Sequence, residues 1–163
     1  MVPMSLRILA PPTSDTSEAP SLVLQCDARK YMFNVGEGTT RVSAQHRASN
    51  MRVDHIFLTR VASETMGGVP GLLMTLADGG RESIDIHAPP NLLYALAATR
   101  LYARRDTMAL NAHEIEVREP HVCYRDEYVQ VQSVPLVPAL HRSLYTDMAE
   151  KGPALDVKAQ LSS

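Results

Sequence analysis

An α/β layered sheet with helices packed on a face is the fold class this sequence predicts, and three observations predict it. Short segments rich in apolar and β-branched residues alternate along the chain with segments of helical spacing. Glycines and prolines punctuate the alternation at Gly36 and Gly38, Gly67-Gly68, Gly79-Gly80 and Pro89-Pro90. Hydrophobic residues make up 45% and charged residues 21% of 163 positions, enough for one ordinary domain with a real core. The chain shows no internal repeat.

Residues 5–10 read as the first strand, followed by a loop rich in Pro, Ser and Thr and a second strand over 21–26. Asp27-Ala28-Arg29 supplies a turn into a third strand over 30–35. Val42 with Gln45 or His46 predicts a short helix over 39–48, and DHIFLT at 54–59 is the next strand. Residues 64–76 have helical spacing, yet Gly67-Gly68 and Pro70 fit a helix only in its first turn, so regular helix is expected from as late as Val69. Gly79-Gly80 ends it. A strand over 83–87, a helix over 91–105 opened by Pro89-Pro90, and strand-like segments at 114–118 and 127–134 complete the alternation. Past Pro138 the periodicity fades, which predicts a linker or frayed tail over 139–163.

Composition removes several function classes. A formal net charge of −2 gives no global attraction to phosphate, so any RNA contact has to be local. Two cysteines, Cys26 and Cys123, have no partner at the spacing of a zinc knuckle or redox pair, and they suit a reducing compartment. No apolar run nears the ~20 residues that cross a bilayer, so no membrane partner is expected. The opening MVPMSLRILAPP has neither the features of a signal peptide nor those of a transit peptide, which makes cytosol or nucleus the plain expectation. No Ser/His/Asp or Cys/His set is spaced for nucleophilic catalysis.

Three local features carry chemistry. NVGEGTTR at 34–41 follows a strand: Gly36 and Gly38 allow a sharp turn and a close backbone approach, and Glu37 is placed to bond the neighbouring loop. It lacks the lysine of a P-loop, so a structural turn is the plainer reading. DHIFLTRVASETMGGVPGLL at 54–73 is a strand, a loop and a helix start, in which Gly67, Gly68 and Gly71 are expected to let the helix approach the strand end at Thr59. The third feature is the helix over 91–105, with Leu92, Ala95, Leu96, Thr99 and Tyr102 or Ala103 on one side and Arg100, Arg104 and Arg105 toward its end. Those arginines read first as a solvated complement to the helix dipole, and second as a small phosphate-contacting patch. The six histidines are scattered without ligand spacing and read as ordinary surface or core residues; His55, among apolar neighbours, reads as structural.

The second and first features together resemble the tRNase Z branch of the metallo-β-lactamase superfamily, in which a strand ending in Thr leads into H-x-H-x-D-H and then G-L-P-G-L-L. In that family the histidines and aspartate hold two metal ions that activate water against a phosphodiester. Position by position, the first histidine falls on Arg60, the second on Ala62, the aspartate on Glu64 and the last histidine on Thr65, while the acid of the preceding motif falls on Asn34. A permanent cation, a methyl group and a neutral hydroxyl stand where ligands belong, and Glu64 alone cannot hold a dinuclear site. Ala88-Pro89-Pro90-Asn91-Leu92 and Tyr124-Arg125-Asp126-Glu127-Tyr128 resemble the family's helix start and acidic strand-turn.

Long-form members of the family are similar to two such halves in one chain, with the amino half stripped of its metal site, and the present sequence resembles that half. The resemblance implies a partial metallo-β-lactamase-like sandwich with a degenerate metal site over residues 1–138, and a linker or disordered tail over 139–163. It implies no catalytic residue and no cofactor in this chain, with zinc confined to the catalytic half of the parent enzyme. The implied partners are a carboxyl-terminal catalytic half, in the same or a separate chain, and precursor tRNA; the implied location is nucleus or mitochondrion, otherwise cytoplasm. The alternative is a stand-alone scaffold of the same fold that binds RNA or protein without chemistry.

Overall fold

A computed structural model describes residues 4–10, 19–45, 53–103, 106–116 and 119–136. Its elements, in chain order, are β1 (Met4–Ala10), β2 (Ser21–Cys26), β3 (Arg29–Phe33), α1 (Thr39–Gln45), β4 (Val53–Phe57), α2 (Ser63–Met66), α3 (Val69–Asp78), β5 (Ser83–Ala88), α4 (Leu92–Thr99), β6 (Ala109–Glu114), β7 (His121–Arg125) and β8 (Gln130–Ser133). Six strands form one sheet in sequence order, β1 to β6, and β7 with β8 form a separate hairpin. Mixed α/β layering is therefore what the chain adopts.

The connections follow from strand direction. β1, β2 and β3 are antiparallel, and a two-residue turn at Asp27 and Ala28 suffices between the last two, with Asp27 in the left-handed region at φ 52° that a short polar side chain tolerates. From β3 onward every pair is parallel, and a parallel pair needs a crossover. α1, then α2 with α3, then α4 provide the three crossovers.

Residues paired across neighbouring strands share a face. One face presents Met32, Ile56, Ile84 and Ile86, which are fully buried with Val69, Leu72 and Leu76 of α3 and Leu92 of α4 in the main core. The other face presents Leu24, Tyr31, Phe33, His55, Phe57, Asp85, His87, Asn111 and His113 in register. Tyr124, Tyr128, Val129 and Val131 of the hairpin and its turn pack there against Cys26, Tyr31 and Phe57.

Several expectations change. The helix over 64–76 is two helices separated at Gly67 and Gly68, with Pro70 in the first turn of α3, where its missing N–H costs nothing. The helix over 91–105 ends as regular helix at Thr99, with Arg100 at its C-cap; Thr99 turns its hydroxyl onto the Leu96 carbonyl at 2.8 Å. The strand expected over 114–118 lies earlier, at Ala109–Glu114, because β6 is an edge strand exposed along most of its length and carries little apolar alternation. The segment 127–134 contributes only β8, since Asp126 accepts the N–H groups of Tyr128 and Val129, both at 2.8 Å, and so closes the turn from β7. The tail over 139–163, Arg104, Arg105 and the loop at 11–18 lie outside the described residues.

Candidate functional site

The loop at the end of β4 is stitched to its neighbours by backbone bonds. Asn34, at φ 56°, accepts the N–H of Thr59 at 2.9 Å and its hydroxyl at 3.1 Å through one carboxamide oxygen, and its own N–H donates to Phe57 at 2.8 Å. Val35 donates to the Thr65 carbonyl at 2.7 Å and accepts from Gly68 at 2.8 Å. Thr65, fully buried, donates its hydroxyl to the carbonyls of Arg60 at 2.6 Å and Ala62 at 3.1 Å, which closes the loop on itself. Arg60 is exposed, and one carboxylate oxygen of the half-buried Glu64 is enclosed without a hydrogen-bond partner.

The glycine-rich turn before α1 is equally self-contained. The Gly36 N–H donates to Ser21 Oγ at 3.0 Å, and Thr39 Oγ1 donates to the Gly36 carbonyl at 2.7 Å. Because the only proton on Thr39 is used there, the 2.9 Å contact between the two hydroxyls has Ser21 as donor. Gly38 takes φ +76°, where a side chain is strained, and Glu37 lies exposed on the turn.

The close approach expected of Gly67, Gly68 and Gly71 is located differently from the sequence reading. A Cβ at Gly68 would sit 2.3 Å from the Gly36 carbonyl oxygen, and one at Gly67 would sit 2.7 Å from that of Ser63. Gly71 has nothing within 4 Å, because it lies on the outer side of α3. The crowding is thus between Gly68 and the Gly36 turn, and the role given to Gly71 is withdrawn.

The structure gathers three of the scattered histidines. His55, His87 and His113 stand on adjacent parallel strands β4, β5 and β6, on the face that carries the hairpin. The His87 and His113 rings stack with centroids 4.6 Å apart, and His87 also stacks on Phe57 at 4.7 Å. His55 Nδ1 lies 3.5 Å from His87 Nε2, and its Nε2 lies 2.9 Å from the hydroxyl of Tyr124. Tyr124 donates to Asp126 at 2.9 Å, and Tyr31 donates to the same carboxylate oxygen.

Burial and its partners set the charge states. Burial first, then the neighbouring His113 and His55, push His87 down to about 4 against the pull of Asp85. Burial also lowers His55, against Asp85 and Asp54. Burial alone would raise Asp126, but the hydroxyl of Tyr31, the N–H groups of Val129 and Tyr128, and the hydroxyl of Tyr124 bring it down to about 2. Burial and the bond to Asp126 raise Tyr124 to about 12. Among the described residues no group of three or more His, Cys, Asp or Glu side chains converges as metal ligands, these histidines included.

The comparisons with known proteins bear on the first half of the sheet most directly. A family model described as tRNase Z endonuclease matches residues 7–68, a span that includes the Gly36 turn and the loop after β4. Over that span the chain is similar to the tRNase Z family. Similar curated proteins include the mitochondrial tRNase Z TRZ4 of Arabidopsis thaliana, 38% identical over 78% of this chain and 15% of that protein. The zinc phosphodiesterase ELAC protein 2 of Homo sapiens is 32% identical over 80% of this chain and 15% of its own length. The solved long-form RNase Z from yeast aligns at a TM-score of 0.66 and 29% identity, over 78% of this chain and 17% of that one. A metallo-β-lactamase fold protein from Bacillus subtilis, 10% identical at a TM-score of 0.53, agrees on fold alone, and the fold is metallo-β-lactamase-like. The chain thus spans about a sixth of the length of the long relatives it matches.

Within this metallo-β-lactamase-like fold, the four positions that the resemblance sets against the metal motif carry side chains that do not fit zinc. Arg60 carries a permanent charge of the wrong sign, Ala62 has no donor atom, and the hydroxyl of Thr65 is engaged with two backbone carbonyls. Glu64 remains as a single carboxylate.

Arg100, the C-cap of α4, is exposed, and exposed aromatics occur both within the helix and in the turn that follows it. Tyr94 is 84% and Tyr102 70% exposed, and Leu93 and Leu101 are exposed with them. The sequence pattern places Tyr102 or Ala103 on the apolar side, but regular helix ends at Thr99 and Tyr102 lies exposed beyond it, while Tyr94 faces outward because Leu92 and Leu96 take the buried stripe. The histidine ladder was missed because its spacing exists only across strands; the available signal was a histidine in each of three successive strands, DHIF, IDIHA and LNAHE.

Proposed function

We propose that this chain is the amino-terminal, non-cutting half of a 3′ tRNA-processing endoribonuclease, supplying scaffold and tRNA-recognition surface to a carboxyl half that carries zinc and cleaves the trailer. The observation that carries the reading is that Arg60, Ala62 and Thr65 stand where the resemblance sets metal ligands, in a loop within the span matched by the tRNase Z model. The loop's hydrogen bonds support it, since Thr65 and Asn34 use their polar groups to hold backbone. Arg100, with Arg104 and Arg105, is the proposed phosphate-contacting patch, and Tyr94 and Tyr102 are exposed rings of the kind on which unpaired bases stack. The mitochondrion, named for the Arabidopsis relative, is the compartment this reading adopts first, with the nucleus as a second.

Purified chain incubated with precursor tRNA and zinc is expected to release no trailer, and adding the downstream catalytic half is expected to produce chelator-sensitive cleavage. Cleavage by this chain alone, abolished by chelator, would overturn the reading. Equal cleavage by the carboxyl half with and without this chain would overturn the scaffold role.

A further inference from the structure

Leu92 and Leu96 occupy the buried stripe of α4, yet the side turned away from the sheet is apolar as well. Leu93 and Tyr94 are exposed there, and so are Leu101 and Tyr102 past the C-cap, with the exposed Ala97 and Ala98 between the two pairs. The Arg100 N–H bonds back to the Ala97 carbonyl, and those of Tyr102 and Ala103 to the Thr99 carbonyl, so the backbone keeps winding beyond the regular helix. The two bulky pairs therefore lie about one turn to either side of the alanines. Large, small, large reads the same from both ends. We propose that this stripe is a self-association surface, on which a second copy of the chain packs its own α4 antiparallel about a two-fold axis at Ala97 and Ala98. The surface does not depend on the tRNA reading.

Size sets the centre of the contact. In a two-fold interface the same patch serves both copies, so the patch has to be complementary to itself. Turning α4 end for end about a point between Ala97 and Ala98 sets Leu93 and Tyr94 of one copy against Tyr102 and Leu101 of the other. The alanines then fall at the crossing, where small side chains let two backbones approach while the bulky ones interlock on either side.

Charge selects the antiparallel sense. Glu114 sits at the amino end of α4, where its carboxylate accepts the Leu93 N–H at 3.0 Å, and Arg100 sits at the carboxyl end. Both are exposed. Seven positions are nearly two full turns, so Leu93 and Arg100 share a flank of the helix. Antiparallel packing brings Arg100 of each copy to the Leu93 end of the other, beside Glu114, and makes two crossed ion pairs. Parallel packing would set Arg100 against Arg100.

Other occupants account for less of the stripe. Unpaired bases would use the rings of Tyr94 and Tyr102 and the charge of Arg100, but they leave the exposed aliphatic side chains of Leu93 and Leu101 without a role. An unrelated helix would not require the symmetric spacing. A second copy and RNA exclude each other on this side of α4. Six apolar side chains per copy fall well short of the ~20–30 residues a side of a standard interface, so the dimer is weak, with a dissociation constant on the order of 10–100 µM.

Sedimentation equilibrium of the full chain without RNA, from about 5 to 500 µM, tests the contact. A reversible monomer–dimer equilibrium is expected. Ala98→Glu puts a carboxylate at an exposed helical position and is expected to weaken the dimer about tenfold or more, with an unchanged circular dichroism spectrum. Arg100→Glu alone and Glu114→Arg alone are each expected to weaken it about fivefold by setting like charges together, and the double exchange is expected to restore it. A chain that stays monomeric at the highest concentration would overturn the proposal, and so would a dimer that Ala98→Glu leaves intact. If Ala98→Glu fails to fold, the charge exchange decides: a double variant no tighter than the single ones would overturn the antiparallel contact. A monomeric chain in which precursor tRNA shifts the NMR signals of Tyr94 and Tyr102 would make the stripe an RNA platform and overturn it equally.

Discussion

Ile56 and His55 are neighbours in one strand, yet they belong to two surfaces built on different principles. Ile56 points with Met32, Ile84 and Ile86 into the apolar layer beneath α3, where shape and volume decide the fit. His55 points to the hairpin, where Tyr31, Tyr124, Asp126 and His87 are joined by hydrogen bonds of fixed direction. The first surface is held by many interchangeable contacts. The second depends on each member being the residue it is. The contrast shows that polar organisation on this sheet is concentrated on the hairpin face, away from the loop after β4.

The largest expected effect lies on the helix side. Ile56→Ala removes a fully buried side chain from the middle of β4 and is expected to cost ~2–5 kcal/mol in urea unfolding, with sheet and helix signals falling together. A loss below ~1 kcal/mol would break the comparison, because it would mean that this face packs as loosely as a surface.

On the hairpin side, Tyr124→Phe keeps the ring against His55 and Phe57 but removes the donor to Asp126 and the acceptor for His55. Its expected cost is ~1–2 kcal/mol, with exchange rising first in β7 and β8, since Tyr31 continues to hold the carboxylate. Uniform destabilisation of the six-stranded sheet would show that the two faces are one cooperative unit rather than a core and a fastened hairpin.

How much of this was legible in the chain differs by face in the same way. The helix side announces itself locally: Gly79-Gly80 ends α3, Pro70 marks its first turn, and VPGLLMTLAD carries its apolar stripe within one element. The family resemblance, likewise, rests on contiguous runs such as the one from Asp54 to Leu73. The hairpin side could not be read this way, since Tyr31 meets Asp126 across 95 positions and His55 meets Tyr124 across 69. Hydrophobic periodicity reports on packing within an element and is silent on polar pairs between elements. β6 escaped for a related reason, as an edge strand has only one neighbour and much of its length in solvent.

The smallest effect has the opposite sign and separates a crowded glycine from a free one. Gly68 is pressed against the Gly36 carbonyl, whereas Gly71, three residues on, faces open space in the first half of α3 and has no left-handed φ to protect. A glycine there only adds chain entropy to the unfolded state, so Gly71→Ala is expected to raise stability by ~0.4–1 kcal/mol, read as a higher urea midpoint at unchanged slope. A destabilisation instead would place the helix entry of α3 under the same close approach as Gly68, and would restore the tight contact with the β4 end that the sequence suggested.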